Sequence, residues 1–394
     1  MRILMIAPTY RPRTGGLETY LTTIAEALAR DHDVSVLTNR DADTQPPVTT
    51  ENRVRVLRAS AFLRDDPANT VPWEAALFGL HTDIAELLAG HRFDVIHTHT
   101  QVALLVATMA GLGRRAPIVA SFHETQPERD PLGRDRSQFI LAACRPDRVL
   151  AGSEAFADQA GSFGYPRQRI RIVYHGVAVP DPHHTQPNRA DLRQVAGVAD
   201  DGILVSLVGR FKPRKGHHRL LAAYLKMAQR EQVRLLLAGS CNSADTDYLD
   251  YIRRTATTGE LRNRVTVLAD CPDSTRDAVW SATDIATQPS EAEGLGLACI
   301  EAMHAGLPTV VADVRGLREV VTPETGLLVD TDDADAYAAA LDTLAVAPTA
   351  RSLLGCAGRV RARTVFGIDR AATGTLGVYA EAIAERVFEN GAHR

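Results

Sequence analysis

Gln288-Pro289-Ser290-Glu291-Ala292-Glu293-Gly294-Leu295-Gly296-Leu297-Ala298-Cys299-Ile300-Glu301-Ala302-Met303 runs directly into His304-Ala305-Gly306-Leu307-Pro308-Thr309-Val310-Val311. Two carboxylates, Glu293 and Glu301, bracket seven mostly small or apolar residues. The first sits in a glycine-rich turn. The second falls about two turns into a helix expected from Leu295 to His304. An apolar strand, Pro308 to Ala312, follows. A helix start with glycine beside it is a natural anion site, whereas acids beside it suit hydroxyl groups. The pairing predicts a ligand that carries both, such as a nucleotide sugar.

Upstream, the strand Ile203 to Val208 leads into Gly209-Arg210-Phe211-Lys212-Pro213-Arg214-Lys215-Gly216 and then a helix from His217 to Arg230. Glycines and cations between a strand and a helix make a pyrophosphate site. Arginine offers a bidentate fork and lysine a point charge. The competing reading is a solvated basic turn, and the spacing is not that of a Walker loop. Strands Arg234 to Ala238, Val265 to Leu268 and Ile285 to Thr287, with helices at Asp247 to Thr257 and Thr275 to Ser281, complete an α/β half.

Joined, the two stretches divide the labour. Arg210 and Lys215, with Gly209, would hold a diphosphate. Glu301 would accept from ribose hydroxyls. Glu293 and the backbone of Gly294, Leu295, Gly296 and Leu297 would hold the transferred sugar. Fixed cations and helix-end amides stabilise a departing diphosphate without a metal, so no cofactor or metal is expected beyond the nucleotide-sugar co-substrate.

The first half shows the same rhythm. Strands are expected at Arg2 to Ala7, Val34 to Leu37, Val54 to Leu57, Phe93 to His97, Pro117 to Phe122, Arg148 to Ala151 and Ile170 to Tyr174. Helices are expected at Leu17 to Arg30, Trp73 to Ala89 and Val102 to Leu112, and Ser153 caps another. Gly15 and Gly16 precede the first helix, where backbone amides can approach a ligand, or simply form a tight turn. His99 and His123 follow strands at the carboxyl edge, where open α/β sheets bind ligands. His123 is the better substrate contact. His99 and Glu124 are candidates for the acceptor side, and each could also be structural. Glu128 to Arg148 mixes Arg and Asp and reads as a solvated face or mobile loop. Pro180 to Asn188, rich in proline, reads as an interdomain linker. Two parallel-sheet halves imply a cleft between them.

Composition narrows the class. The chain has 394 residues, 45% hydrophobic and 23% charged, with a formal net charge of −4. That length suits two or three domains, and the charge argues against a nucleic-acid binder. Five scattered cysteines form no Cys-x-x-Cys pair, which indicates neither a disulfide framework nor a zinc site and points to a cytoplasmic setting. No apolar run is long enough for a membrane span.

In order, Gly15-Gly16-Leu17-Glu18, Asp94-Val95-Ile96-His97-Thr98-His99, Ser153-Glu154, the Gly209–Gly216 loop, Pro289-Ser290 through Gly296 and Glu301-Ala302-Met303 through Pro308 resemble the GT4 family of retaining glycosyltransferases. The resemblance covers nearly the whole chain. It implies a GT-B fold: two Rossmann-like doubly wound domains, an acceptor domain over 1–180 and a donor domain over 181–374. The last helix, Gly374 to Phe388, would return residues 375–394 to the first domain. It implies that Glu293 and Glu301 are the family's Glu-x7-Glu pair and that Arg210 and Lys215 bind diphosphate. It further implies that Gly15 and Gly16 are the first-loop glycines, that His123 lies near the reacting sugar, and that the anomeric configuration is retained. Donors would be UDP- or GDP-sugars. The acceptor would be a small molecule or saccharide rather than a lipid. His175-Gly176 and Arg315-Gly316-Leu317-Arg318-Glu319 depart from the family pattern. An epimerase or a phosphorylase on the same fold, or a silent nucleotide-sugar binder, are the alternatives.

Overall fold

A computed structural model describes residues 1–13, 15–41, 44–59, 80, 82–123, 131–178, 189–199, 201–241, 245–270 and 273–392. The chain divides into two compact units, Met1–Gly176 with Ile368–Arg394, and Val177–Gly367.

The first unit is built on strands β1 (Arg2–Ile6), β2 (Asp33–Asn39), β3 (Val48–Glu51), β4 (Val54–Ala59), β5 (Val95–Thr98), β6 (Ile118–Ala120), β7 (Arg148–Ala151) and β8 (Ile170–Ile172). They lie in the order β3-β4-β2-β1-β5-β6-β7-β8. All neighbours are parallel except β3 and β4. Residues 3–6 of β1 are fully buried, as expected of a central strand covered on both faces. The antiparallel edge strand β3 has no counterpart in the sequence reading. Thr49, Thr50 and Glu51 leave it without an apolar run. Its turn rests on Asn52 and Arg53, both with positive φ (48° and 68°), closing a two-residue hairpin of the primed type.

Residues 131–144, read as a solvated face or mobile loop, form a helix instead (Pro131–Cys144). Its buried Ser137, Ile140 and Leu141 supply the inward stripe. Gln101 Nε2 donates to Ser137 Oγ at 2.6 Å from the helix Gln101–Met109. Alternating Arg and Asp over its first turns hid that periodicity. Of the expected helix 73–89, residues 73–79 and 81 lie outside the described residues, while 82–87 are helical; the linker Pro180–Asn188 lies wholly outside them.

The last helix, Ile368–Ala392, belongs to the first unit. Arg171 Nε reaches Glu381 at 2.8 Å, Arg148 pairs with Glu385, and Arg386 meets Asp147 at 3.3 Å.

The second unit is a wholly parallel sheet of β9 (Ile203–Val208), β10 (Val233–Gly239), β11 (Val265–Ala269), β12 (Ile285–Gln288), β13 (Thr309–Ala312) and β14 (Gly326–Val329). Its order is β11-β10-β9-β12-β13-β14. The direction of winding reverses between β9 and β12, so the loops after these two strands flank the switch point where such sheets bind ligands. The end of β12 is fixed from below. Tyr337 donates its hydroxyl to the Val310 carbonyl at 2.8 Å, so Thr287 must be the donor in its 2.7 Å contact with Tyr337.

Candidate active site

In the second unit the loop after β9 and the loop after β12 are stitched together. Glu291 N donates to Arg214 O at 2.8 Å, and Arg214 Nη1 reaches Ala292 O at 3.2 Å. Gly216, at φ 75°, ends the basic loop with no room for a side chain, since a Cβ there would strike the Pro289 carbonyl. Two residues that the sequence assigned to different parts of the donor are in direct contact: Lys215 Nζ lies 2.5 Å from Glu293 Oε1. Gln288 Nε2 and Ser290 Oγ donate to the same oxygen at 2.6 and 2.7 Å. Glu293 is 7% exposed. Burial pushes its carboxyl up, but the Lys215 charge and hydrogen bond, then the Arg214 charge, outweigh burial and hold it below the ordinary carboxylate range.

The other loop cations differ in availability. Lys212 leans toward Asp245 at 3.6 Å. Among the described residues, the Arg210 guanidinium has no ion-pair or hydrogen-bond partner. The helix expected from Leu295 begins at Leu297 and runs to Ala305. Gly294, Leu295 and Gly296 stay in the loop because Gly296 takes a left-handed conformation (φ 95°) as the N-cap. Glu301 is on this helix and accepts from Trp280 Nε1 at 3.3 Å. Arg315, one of the departures from the family pattern, is exposed at the start of the helix Arg315–Val320.

Gln288 and Ser290 were not singled out from the sequence. Their signal is faint: two polar side chains, five and three residues ahead of an acid, one ending a buried strand and the other on the turn that leaves it.

The first unit places Gly15 as N-cap of the helix Gly16–Leu28, where Gly15 O accepts from Thr19 N at 2.9 Å. Glu18 Oε2 is buried without a partner. His99 and His123 share a hydrogen bond, Nδ1 to Nε2, at 3.1 Å. Glu124 lies outside the described residues. The two histidines belong to a larger aromatic stack. Ring centroids are 4.0 Å apart for His97 and His99, 4.8 Å for His123 and His175, and 4.0 Å for His175 and Tyr20. The His175 ring lies against Gly152, where any side chain would collide with it.

Burial lowers all four histidines. His97 and His175 fall to about 3, and His99 and His123 go well below the usual imidazole range, with mutual repulsion adding to burial for all but His175. They are neutral near pH 7, and the tautomer of His97 follows. Ser121 donates to the Leu150 carbonyl at 2.6 Å, so it accepts from His97 Nε2–H at 2.9 Å. The His97 Nδ1 lone pair then accepts from the Tyr379 hydroxyl at 2.7 Å. Neither His97 nor His175 stood out as a member of a cluster, since their positions lie far apart in the chain.

Among the described residues no group of three or more His, Cys, Asp or Glu side chains could hold a metal ion. Within the same residues no helix is long and apolar enough to cross a membrane.

Known family models match both halves of the chain. The model described as Glycosyl transferases group 1 matches residues 188–359, and that described as Glycosyltransferase Family 4 matches residues 14–179. The D-inositol 3-phosphate glycosyltransferase of Acidothermus cellulolyticus is 30% identical, over 94% of this chain and 87% of its own. The solved structure of sucrose-phosphate synthase from Thermosynechococcus elongatus superposes with a TM-score of 0.82 at 24% identity, covering 98% of this chain and 99% of that one. Anabaena HepE in complex with UDP and glucose superposes at 0.77 and 22% identity, over 97% and 100% of the two chains. With two parallel-sheet α/β units, family models matching each half and a full-length relative, the chain belongs to the GT4-type glycosyltransferases and has the GT-B fold.

Proposed function

We propose that the protein transfers a hexosyl group from a nucleoside-diphosphate sugar, UDP- or GDP-linked, to a hydroxyl acceptor with retention of anomeric configuration and without a metal. The observation that carries this reading is the Lys215–Glu293 contact at the β9/β12 switch point, with Arg210, on the same loop as Lys215, unpaired among the described residues. An ammonium has three donors. One on Glu293 leaves two for a diphosphate, and Arg210 supplies a second cation. Glu293 and the loop Gly294–Leu297 receive the sugar, and Glu301 receives the ribose. Gly15, Gly16 and His123 are assigned to the same reaction from the first unit, and the acceptor is a small molecule or saccharide. The complex of HepE with UDP and glucose supports the donor class by analogy. The reducing cytoplasm is the proposed setting.

In the step proposed, the bond from C1 to the diphosphate oxygen breaks and the acceptor oxygen bonds to C1 on the same face. The acceptor proton passes to the leaving diphosphate. Arg210 and Lys215 stabilise the charge that builds there, and such fixed donors act best in a site that excludes water.

Calorimetric titration with UDP and GDP tests the assignment. The wild type binds one of them, and Glu301→Ala weakens that binding about tenfold, as for loss of a charged hydrogen-bond acceptor. Unchanged affinity removes Glu301 from the ribose site. No binding of either nucleotide overturns the function.

A further inference from the structure

Glu293 is gripped by one oxygen only. Lys215, Gln288 and Ser290 all donate to Oε1. No donor among the described residues reaches Oε2, and Oε2 is not among the fully buried oxygens that lack a partner, so this oxygen keeps some access to solvent although the residue is only 7% exposed. The grip has a cost at its far end. Gln288 is the last residue of β12 and is buried, and its own Oε1 is buried without a partner. Turning the amide over would face two oxygens toward each other, so Glu293 fixes which end points inward. A buried orphan carbonyl destabilises a fold. What the amide supplies is a third donor on Oε1.

We infer that Gln288 is a positioning residue for the donor sugar: its amide, with Ser290, locks Glu293 so that Oε2 alone meets a sugar hydroxyl. This rests on the reading of Glu293 as the sugar contact. A carboxylate held in one rotamer presents fixed lone-pair directions. It therefore separates hexoses whose matching hydroxyl is equatorial from epimers in which it is axial. A carboxylate free to turn would serve both.

The test compares UDP with UDP-glucose, and GDP with GDP-mannose, on the whole protein. The extra affinity of the sugar conjugate over its bare nucleotide is the readout. In Gln288→Met, which keeps the volume and removes the orphan carbonyl, the bare nucleotide should bind within about twofold of wild type. The extra affinity from the sugar should fall about tenfold, the loss of one hydrogen bond to a charged group. Turnover with the 4-epimeric sugar, UDP-galactose, should rise relative to UDP-glucose. Ser290→Ala, a smaller change on the same oxygen, should move both readouts in the same direction. Melting temperatures of both variants report whether the fold is kept. A sugar increment and epimer preference equal to wild type in both variants overturn the role of Gln288 and leave the donor assignment standing. A wild type that binds the bare nucleotides with no gain from the sugar overturns the reading of Glu293 and this inference with it.

Discussion

At the scale of the residue, Lys215 and Glu293 are each other's solvation. A buried carboxylate survives because the ammonium is 2.5 Å away, and removing one partner leaves the other uncompensated. Lys215→Met should therefore destabilise the fold by about 3 kcal/mol, read by chemical denaturation. It should also lower turnover about a hundredfold, as for loss of one group that stabilises an oxyanion. Adding Glu293→Gln should restore most of the stability and none of the activity, because a neutral amide tolerates burial without a cation. Stability that does not recover in the double variant would show that the pair is not coupled. The pairing was half legible in the chain. The residue types and their spacing marked Lys215 and Glu293 as site residues. Their mutual contact was not legible, because it depends on two loops 78 positions apart meeting at one point of a sheet.

At the scale of the element, the loop after β9 is shaped by the loop after β12. Gly216 carries that contact, since only a glycine fits against Pro289 O at φ 75°. Gly216→Ala should force the two loops apart. The expected result is a melting point lowered by several degrees, corresponding to roughly 1–3 kcal/mol of strain, with nucleotide binding weakened in parallel. Binding and stability equal to wild type would mean that the loops adjust independently.

Strand β9 was read from its unbroken apolar run to the residue, because five aliphatics and one serine, all buried, leave no break in the pattern. The helix 131–144 was missed for the opposite reason. Its buried stripe is narrow, and its charges are those of an exposed loop. The helix at 297–305 was placed two residues early because Leu295 fits the apolar pattern, while the left-handed turn at Gly296 that delays the start is a backbone property.

At the scale of the molecule, both units keep histidines buried and neutral. Four lie in the stack of the first unit, and His217, in the second, is likewise lowered to about 3 by burial first and the Lys215 charge second. Their folded-state values lie below that of the unfolded chain. As pH falls beneath about 6.5 the unfolded chain gains protons that the folded chain refuses. The stability these groups contribute is complete above that pH and is lost progressively toward about 3. Each histidine costs about 1.4 kcal/mol per pH unit in that window. Calorimetry of the full chain should show the melting point falling steeply between pH 6.5 and 5, with a shallower slope in His175→Asn. A melting point flat across that range would contradict the neutral stack.

The architecture as a whole was the most legible feature. Repeated apolar strands each followed by a helix leave few alternatives to two parallel sheets. In the second unit the cations and acids marked the two loops that the structure brings into contact. The first unit was less so, since its histidines are brought together from the ends of three separate strands, β5, β6 and β8, and their spacing along the chain does not reveal the cluster.

The proposed reaction is retaining transfer from a nucleoside-diphosphate sugar without a metal. Incubation with α-linked UDP-glucose or GDP-mannose in the presence of a chelator, with water as the slow acceptor, tests it through the proton NMR of the sugar first released. The α anomer should appear first, before mutarotation, and should be lost in Lys215→Met. Initial release of the β anomer, or release abolished by the chelator, would contradict the proposed reaction.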